Sequence, residues 1–170
     1  MSGSAMKDAF GHHVWATTRL IDVCIGLPPE QLATAVPGTY GSILDTQRHL
    51  VGSDAWYLRC ITNDAKAAID EDHMDLRELR SAMERNGARW SQLLADELDP
   101  DTVITQVDHE DGYQKDATVG IRFAQALHHG TDHRSQICTA LTSLGVEPPP
   151  IDVWDFGVEH GRVVEVFPTS

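Results

Sequence analysis

Apolar residues return every three or four positions over long stretches of this chain, the spacing that puts them on one side of a helix. Phe10, Val14, Ala16, Leu20, Ile21, Val23 and Ile25 form the first such stripe and predict a helix over about residues 6–27, stopped by Gly26-Leu27-Pro28-Pro29. A connector ending in Pro37-Gly38 follows, after which Ser42 is placed to cap a helix to about Ile61, with Ile43, Leu50, Tyr57 and Ile61 as its stripe. Asp75 is the predicted N-cap of a third helix, whose periodic face is Leu76, Leu79, Met83, Trp90, Leu93, Leu94 and Leu98; Asp99-Pro100-Asp101 ends it. The fourth helix, about residues 119–144, closes at Gly145 and a run of three prolines.

Between the third and fourth helices the pattern changes. Val103 to Val107 is β-prone, Glu110-Asp111-Gly112 offers a turn and residues 113–118 can return, which predicts a short hairpin. Residues 151–166, with Trp154 and Phe156, are too few for a domain and are expected to cross the bundle as a turn or short helix. Four long helices joined by connectors predict an all-α four-helix bundle, and 170 residues with 41% hydrophobic content predict one domain over residues 1–170.

Charge narrows the partners. A formal charge of -13, from 26 acidic against 13 basic residues, opposes binding to nucleic-acid phosphates and anionic lipid heads. No apolar run approaches the ~18 residues of a membrane span, and residues 1–6 lack the regions of a signal peptide. Cys24, Cys60 and Cys138 are odd in number and widely spaced, so a reducing compartment, the cytoplasm, is expected rather than a disulfide framework.

The chemistry lies in the histidines. His129 and His133 are spaced i,i+4 and share the stripe Ala126, His129, His133, Ile137, Ala140, Leu144, which should face the bundle interior. Interior imidazoles need partners, because an unpaired buried polar group costs about 1–3 kcal/mol, and a metal ion satisfies two at once. His49 on the second helix is a third candidate, since Asp45, Thr46, Gly52, Ser53 and Trp56 around it make a polar, small face that suits a cavity. Three neutral imidazoles suit Zn, Ni or Fe and leave a coordination position for water or substrate, whereas structural zinc usually takes four ligands. His128, Asp132 and Cys138 rank low as fourth ligands because they point elsewhere on the helix or lie too far along it. Asp45, one turn before His49, is better placed to orient that imidazole. Of the adjacent His12 and His13 at most one faces inward, and His13 with Trp15 is a candidate to border the pocket; His73, His109 and His160 read as solvated loop residues.

Two segments, Gly41-Ser42-Ile43-Leu44-Asp45-Thr46-Gln47-Arg48-His49-Leu50 and His129-Gly130-Thr131-Asp132-His133-Arg134-Ser135-Gln136-Ile137, closely resemble the paired motifs of the DinB-like family, metal-binding four-helix bundles related to the YfiT proteins. Leu27-Pro28-Pro29-Glu30-Gln31-Leu32, Val36-Pro37-Gly38 and Asp152-Val153-Trp154-Asp155 resemble that family's connector and tail. The resemblance implies an up-down-down-up bundle, often a homodimer, with His49, His129 and His133 as ligands to a divalent metal, commonly Zn or Ni. Asp132 stands where many relatives have another His, and Ser135 where many have Gly. Characterised relatives include S-transferases that use low-molecular-weight thiols.

The expectation is therefore a metal-dependent enzyme that activates a thiol or water for a small-molecule substrate, with Arg134 as anchor for a substrate carboxylate and Asp45 as supporting base. One alternative is a non-catalytic metal-binding or stress-related ligand-binding bundle. Another is a structural helical dimer whose histidines only hydrogen-bond in the core, which predicts no metal.

Overall fold

A computed structural model describes residues 2–96, 98–107 and 112–166. The four long helices are α1 (Ser2–Ile25), α3 (Ile43–Thr62), α4 (Leu76–Ala95) and α5 (Val119–Ser143); α2 (Pro29–Leu32) is a single turn in the first connector and α6 (Val153–Glu159) a short helix near the end. The expected hairpin is present, β1 (Val103–Val107) pairing antiparallel with β2 (Gln114–Thr118) from Val103 opposite Thr118 to Val107 opposite Gln114. His109 and the Glu110-Asp111 part of its expected turn lie outside the described residues. No helix among the described residues is long and apolar enough to cross a membrane.

The helix starts follow local chemistry. Ser42 and Asp75 each accept from the backbone N–H three residues on, and Asp45 and Glu78 reach back to the cap N–H, so α3 and α4 both begin with a reciprocal capping box. Thr118 caps α5 through the Ile121 N–H. At the other end of α3, Asn63 takes the left-handed conformation (φ 53°) and returns its N–H to the Arg59 carbonyl. α4 ends at Ala95, three residues short of the expected Leu98, where the Asp96 N–H closes on the Gln92 carbonyl ahead of the Asp99-Pro100 break.

Side-chain pairs fix the directions of the four long helices. Phe10 packs on Trp90 while Asp22 pairs with Arg80, so α1 and α4 are antiparallel. Asn86 reaches the Val51 carbonyl and Trp90 reaches Asp54, so α3 and α4 are parallel. His49 meets His129 and Tyr57 meets Gln125, making α3 and α5 antiparallel; Phe10 on Phe123 and His13 on Arg134 make α1 and α5 parallel. The order is up-down-down-up, with α1 diagonal to α3. Because α3 and α4 run the same way, residues 63–75 must return along the bundle, and they do so as an extended connector with two 3₁₀ turns, held where Arg48 donates to the Met74 carbonyl.

The core is two apolar clusters. One gathers Leu20, Ile21, Leu50, Val51, Met83, Ile137 and Leu141; the other gathers Phe10, Tyr57, Leu58, Trp90, Phe123 and Ala126. Along each helix, buried polar groups or a glycine sit between the two: His13 and Thr17 on α1, Asp54 on α3, Asn86 on α4, Gly130 and Arg134 on α5. The bundle thus has a polar layer at mid-height, level with the histidine pair of α5.

Candidate metal centre

α3 presents His49 in its second turn, and α5 presents His129 and His133 one turn apart near its middle; the antiparallel contact of these helices brings the three together. The Nε2 atoms of His49 and His129 are 3.1 Å apart, as are those of His129 and His133. Within the described residues these three are the histidine, cysteine or carboxylate side chains grouped closely enough to hold a metal ion, their ligand atoms all within 4.8 Å of one another. His133 is buried and the other two are half-buried.

The proton positions follow from the neighbours. Gln136 Oε1 lies 3.0 Å from His133 Nδ1 and also accepts the Tyr40 backbone N–H at 2.9 Å. An oxygen that accepts from both requires the His133 proton on Nδ1, which leaves the Nε2 lone pair facing the cluster. With a single proton at most, His129 Nε2 donates to one neighbour only, so at least one of the two 3.1 Å contacts is left unmet: two lone pairs face each other, or one nitrogen lacks an aligned partner. A cation removes that conflict. Nitrogens about 2.0–2.1 Å from a tetrahedral ion stand about 3.3 Å from each other, and at an octahedral angle about 2.9 Å; the two 3.1 Å spacings lie between, and the third pair is within 4.8 Å. The residues fit a divalent metal.

A proton is a poor substitute for that metal. Burial, then the neighbouring His133 and His49, push the His129 pKa down to about 4, against a smaller opposing pull from Asp132. Burial and His133 also lower His49. For His129 the folded value lies below the unfolded 6.5, so the unfolded chain takes up the proton first. Its contribution to stability is whole above pH 6.5 and is lost as the pH falls toward 4. The thermal midpoint of metal-free protein is therefore expected to drop across that window, and less steeply in His129→Ala; equal slopes in a calorimetric pH series would contradict this.

Aromatic rings wall the cluster. Tyr40 stacks on His49 at 3.9 Å and 8°, and is 58% exposed, so it forms the solvent side. Tyr57 meets His129 edge-on at 5.6 Å, its hydroxyl accepting from Gln125, and Trp56 packs on Tyr57. The sequence reading missed Tyr40, Tyr57 and Gln136 as site residues. Gln136 had a signal, since it lies i,i+3 from His133; Tyr40 had none, being placed by the fold of the connector.

The structure places the other expected residues as follows. Asp45 is exposed and its carboxylate bonds the Ser42 N–H and hydroxyl in the capping box. Arg134, 4% exposed, turns away from the ligand face and donates to His13 Nδ1, Thr17 Oγ1 and Thr131 Oγ1. His13 is buried at 1% exposure beside Arg134, while Trp15 bonds Glu159 of α6; neither appears in the wall of the cluster. His73 is exposed on Asp70, and His160 returns Nδ1 to the Phe156 carbonyl at the end of α6.

A sequence model of the DinB family matches residues 1–160. The chain belongs to the DinB family. The match covers all six helices and the hairpin, and so includes both elements that supply the DinB histidine triad. No curated protein matches the chain. The two motif segments form one group across α3 and α5 whose geometry is able to hold a metal ion.

Proposed function

We propose that this DinB protein is a metal-dependent enzyme that activates a low-molecular-weight thiol or water for attack on a small-molecule substrate. His49, His129 and His133 are the ligands in this reading, with Zn or Ni, or Fe, as the ion. When bound, such an ion acts as a Lewis acid, lowering the pKa of a coordinated thiol or water and supplying a nucleophile at neutral pH. The observation that carries the proposal is the convergence of three Nε2 atoms from two helices without a fourth protein ligand in the group among the described residues. Three-ligand sites keep a position open for chemistry.

The chain's own residues do the rest. Gln136 holds His133 in the tautomer that offers Nε2. Tyr40 covers one face of His49, and Tyr57 stands edge-on to His129. Asp45 supports His49 by fixing the first turn of α3, and Arg134 supports the pair on α5 from within the bundle. We place the protein in the cytoplasm as a single-domain homodimer, a reading supported by its three free cysteines and by the motif resemblance.

One observation favours the non-catalytic alternative: the carboxylate nearest in sequence to His49 is engaged in a helix cap. Metal-loaded protein incubated with several thiols and monochlorobimane distinguishes the two. Conjugate formation with at least one thiol, lost on chelation, is the expected outcome. If every thiol fails while metal is retained, thiol activation is excluded and the result favours the non-catalytic bundle over the thiol enzyme.

A further inference from the structure

The polar layer contains one continuous hydrogen-bonded chain that touches all four long helices. Arg134 of α5 donates from one guanidinium nitrogen to His13 Nδ1 at 2.8 Å. Since Nδ1 accepts, the His13 proton is on Nε2, which donates to Asp54 Oδ1 of α3 at 2.9 Å. Trp90 of α4 donates its indole N–H to both Asp54 oxygens, at 3.0 and 3.1 Å. Arg134 also reaches Thr17, one turn beyond His13 on α1. His13, Asp54 and Trp90 are at most 2% exposed, and Arg134 4%. Opposite charges on Asp54 and Arg134 are linked through a neutral imidazole, so each atom has one role and the chain has one register.

Neither apolar cluster sets a register so sharply. Leu, Ile and Met side chains tolerate sliding by fractions of an ångström, whereas a hydrogen bond between buried charged and polar groups does not. Arg134 is the residue next to His133. Gly130, next to His129, lies against the His13 ring. The α5 backbone that carries both ligands is therefore clamped on either side by contacts to His13, and His13 is itself clamped to α3, the helix that carries His49.

We propose that Arg134, His13, Asp54 and Trp90 are positioning residues for the histidine triad: the chain sets where α5 stands against α3 and so holds the three Nε2 atoms at ligand spacing. The proposal rests on the reading of that triad as a metal centre. It concerns geometry, and none of the four residues is placed in contact with the ion.

Asp54→Asn is the direct test. The indole N–H faces both carboxylate oxygens, so an isosteric amide sets its own donor against that N–H and removes the negative charge, which weakens the chain without a change in volume. Cobalt(II) is the probe, with affinity measured by chelator competition and geometry by the visible ligand-field spectrum. Asp54→Asn is expected to bind cobalt at least tenfold more weakly with a changed band shape. Thr17→Val, which removes one acceptor from Arg134 and keeps the shape, should weaken binding about threefold and covers the case in which the first variant does not fold. Asp75→Ala lowers stability at the α4 cap, far from the chain, and should leave affinity and spectrum unchanged while lowering the thermal midpoint. Parent-like affinity and spectrum in Asp54→Asn, or in Thr17→Val if the first is unfolded, overturn the proposal. So does an equal loss in Asp75→Ala, which would make the effect one of stability alone. If the parent takes up no cobalt, the metal reading fails separately. Imidazole NMR of the parent and Asp54→Asn then decides the positioning role, since unchanged ring contacts of His129 with His49 and Tyr57 would refute it.

Discussion

His129→Ala is expected to yield a folded protein that no longer carries stoichiometric metal. His129 is the central ligand, with its Nε2 3.1 Å from both of the others. Structural zinc binds its four ligands with about 10–16 kcal/mol, so each is worth about 3 kcal/mol, a loss of roughly a hundredfold or more in affinity when one is removed. Folding should survive, because alanine is the best helix former and the change removes a half-buried imidazole that cannot hydrogen-bond both of its neighbours. Elemental analysis after gel filtration reads the result directly. His73→Ala, an exposed histidine paired only with Asp70 among the described contacts, is the matched control and should keep its metal. Full occupancy in His129→Ala would reject the three-histidine centre.

Gly130→Ala should be the most destabilising single-methyl change in the bundle. In an exposed helix this exchange stabilises by about 1 kcal/mol. Here the added methyl would overlap Cε1 and Nδ1 of His13. That ring is buried and fixed at both nitrogens, by Arg134 and Asp54, so it cannot move aside without breaking a buried hydrogen bond. Overpacking and an unmet polar group together cost about 2–4 kcal/mol, which outweighs the gain in helix propensity. Urea unfolding measures the difference, and an unchanged or higher midpoint would show that the ring yields freely.

What the sequence made legible was whatever has a short repeat or a short reach. Stripes spaced by three and four located the four long helices, and Ser42, Asp75 and Gly145 marked their ends because capping and chain reversal are local. His129 and His133 were legible as a pair for the same reason. His49 joined them through the polar, small character of its face and through motif likeness. The chain from Arg134 to Trp90 was not legible, since its links span up to 121 positions and depend on which helices are neighbours. α1 and α3 follow one another in sequence yet lie diagonally, and nothing in their periodicity says so. Arg134 illustrates the limit: a basic residue beside a ligand reads as a substrate anchor, while its burial and its partners on α1, His13 and Thr17, depend on how the helices pack.

The two helices that hold the triad are far apart along the chain, and that separation has a consequence of its own. His49 and His129 are 80 residues apart, so an ion gripped by both closes a loop that contains the long connector, α4 and the hairpin. Closing a loop of that size constrains an unfolded chain by about 4 kcal/mol in the cross-link model. The ion would then act as a removable staple: with it in place the first and last parts of the chain stay tethered even if the strand between them is cut, and without it the same cut lets them drift apart.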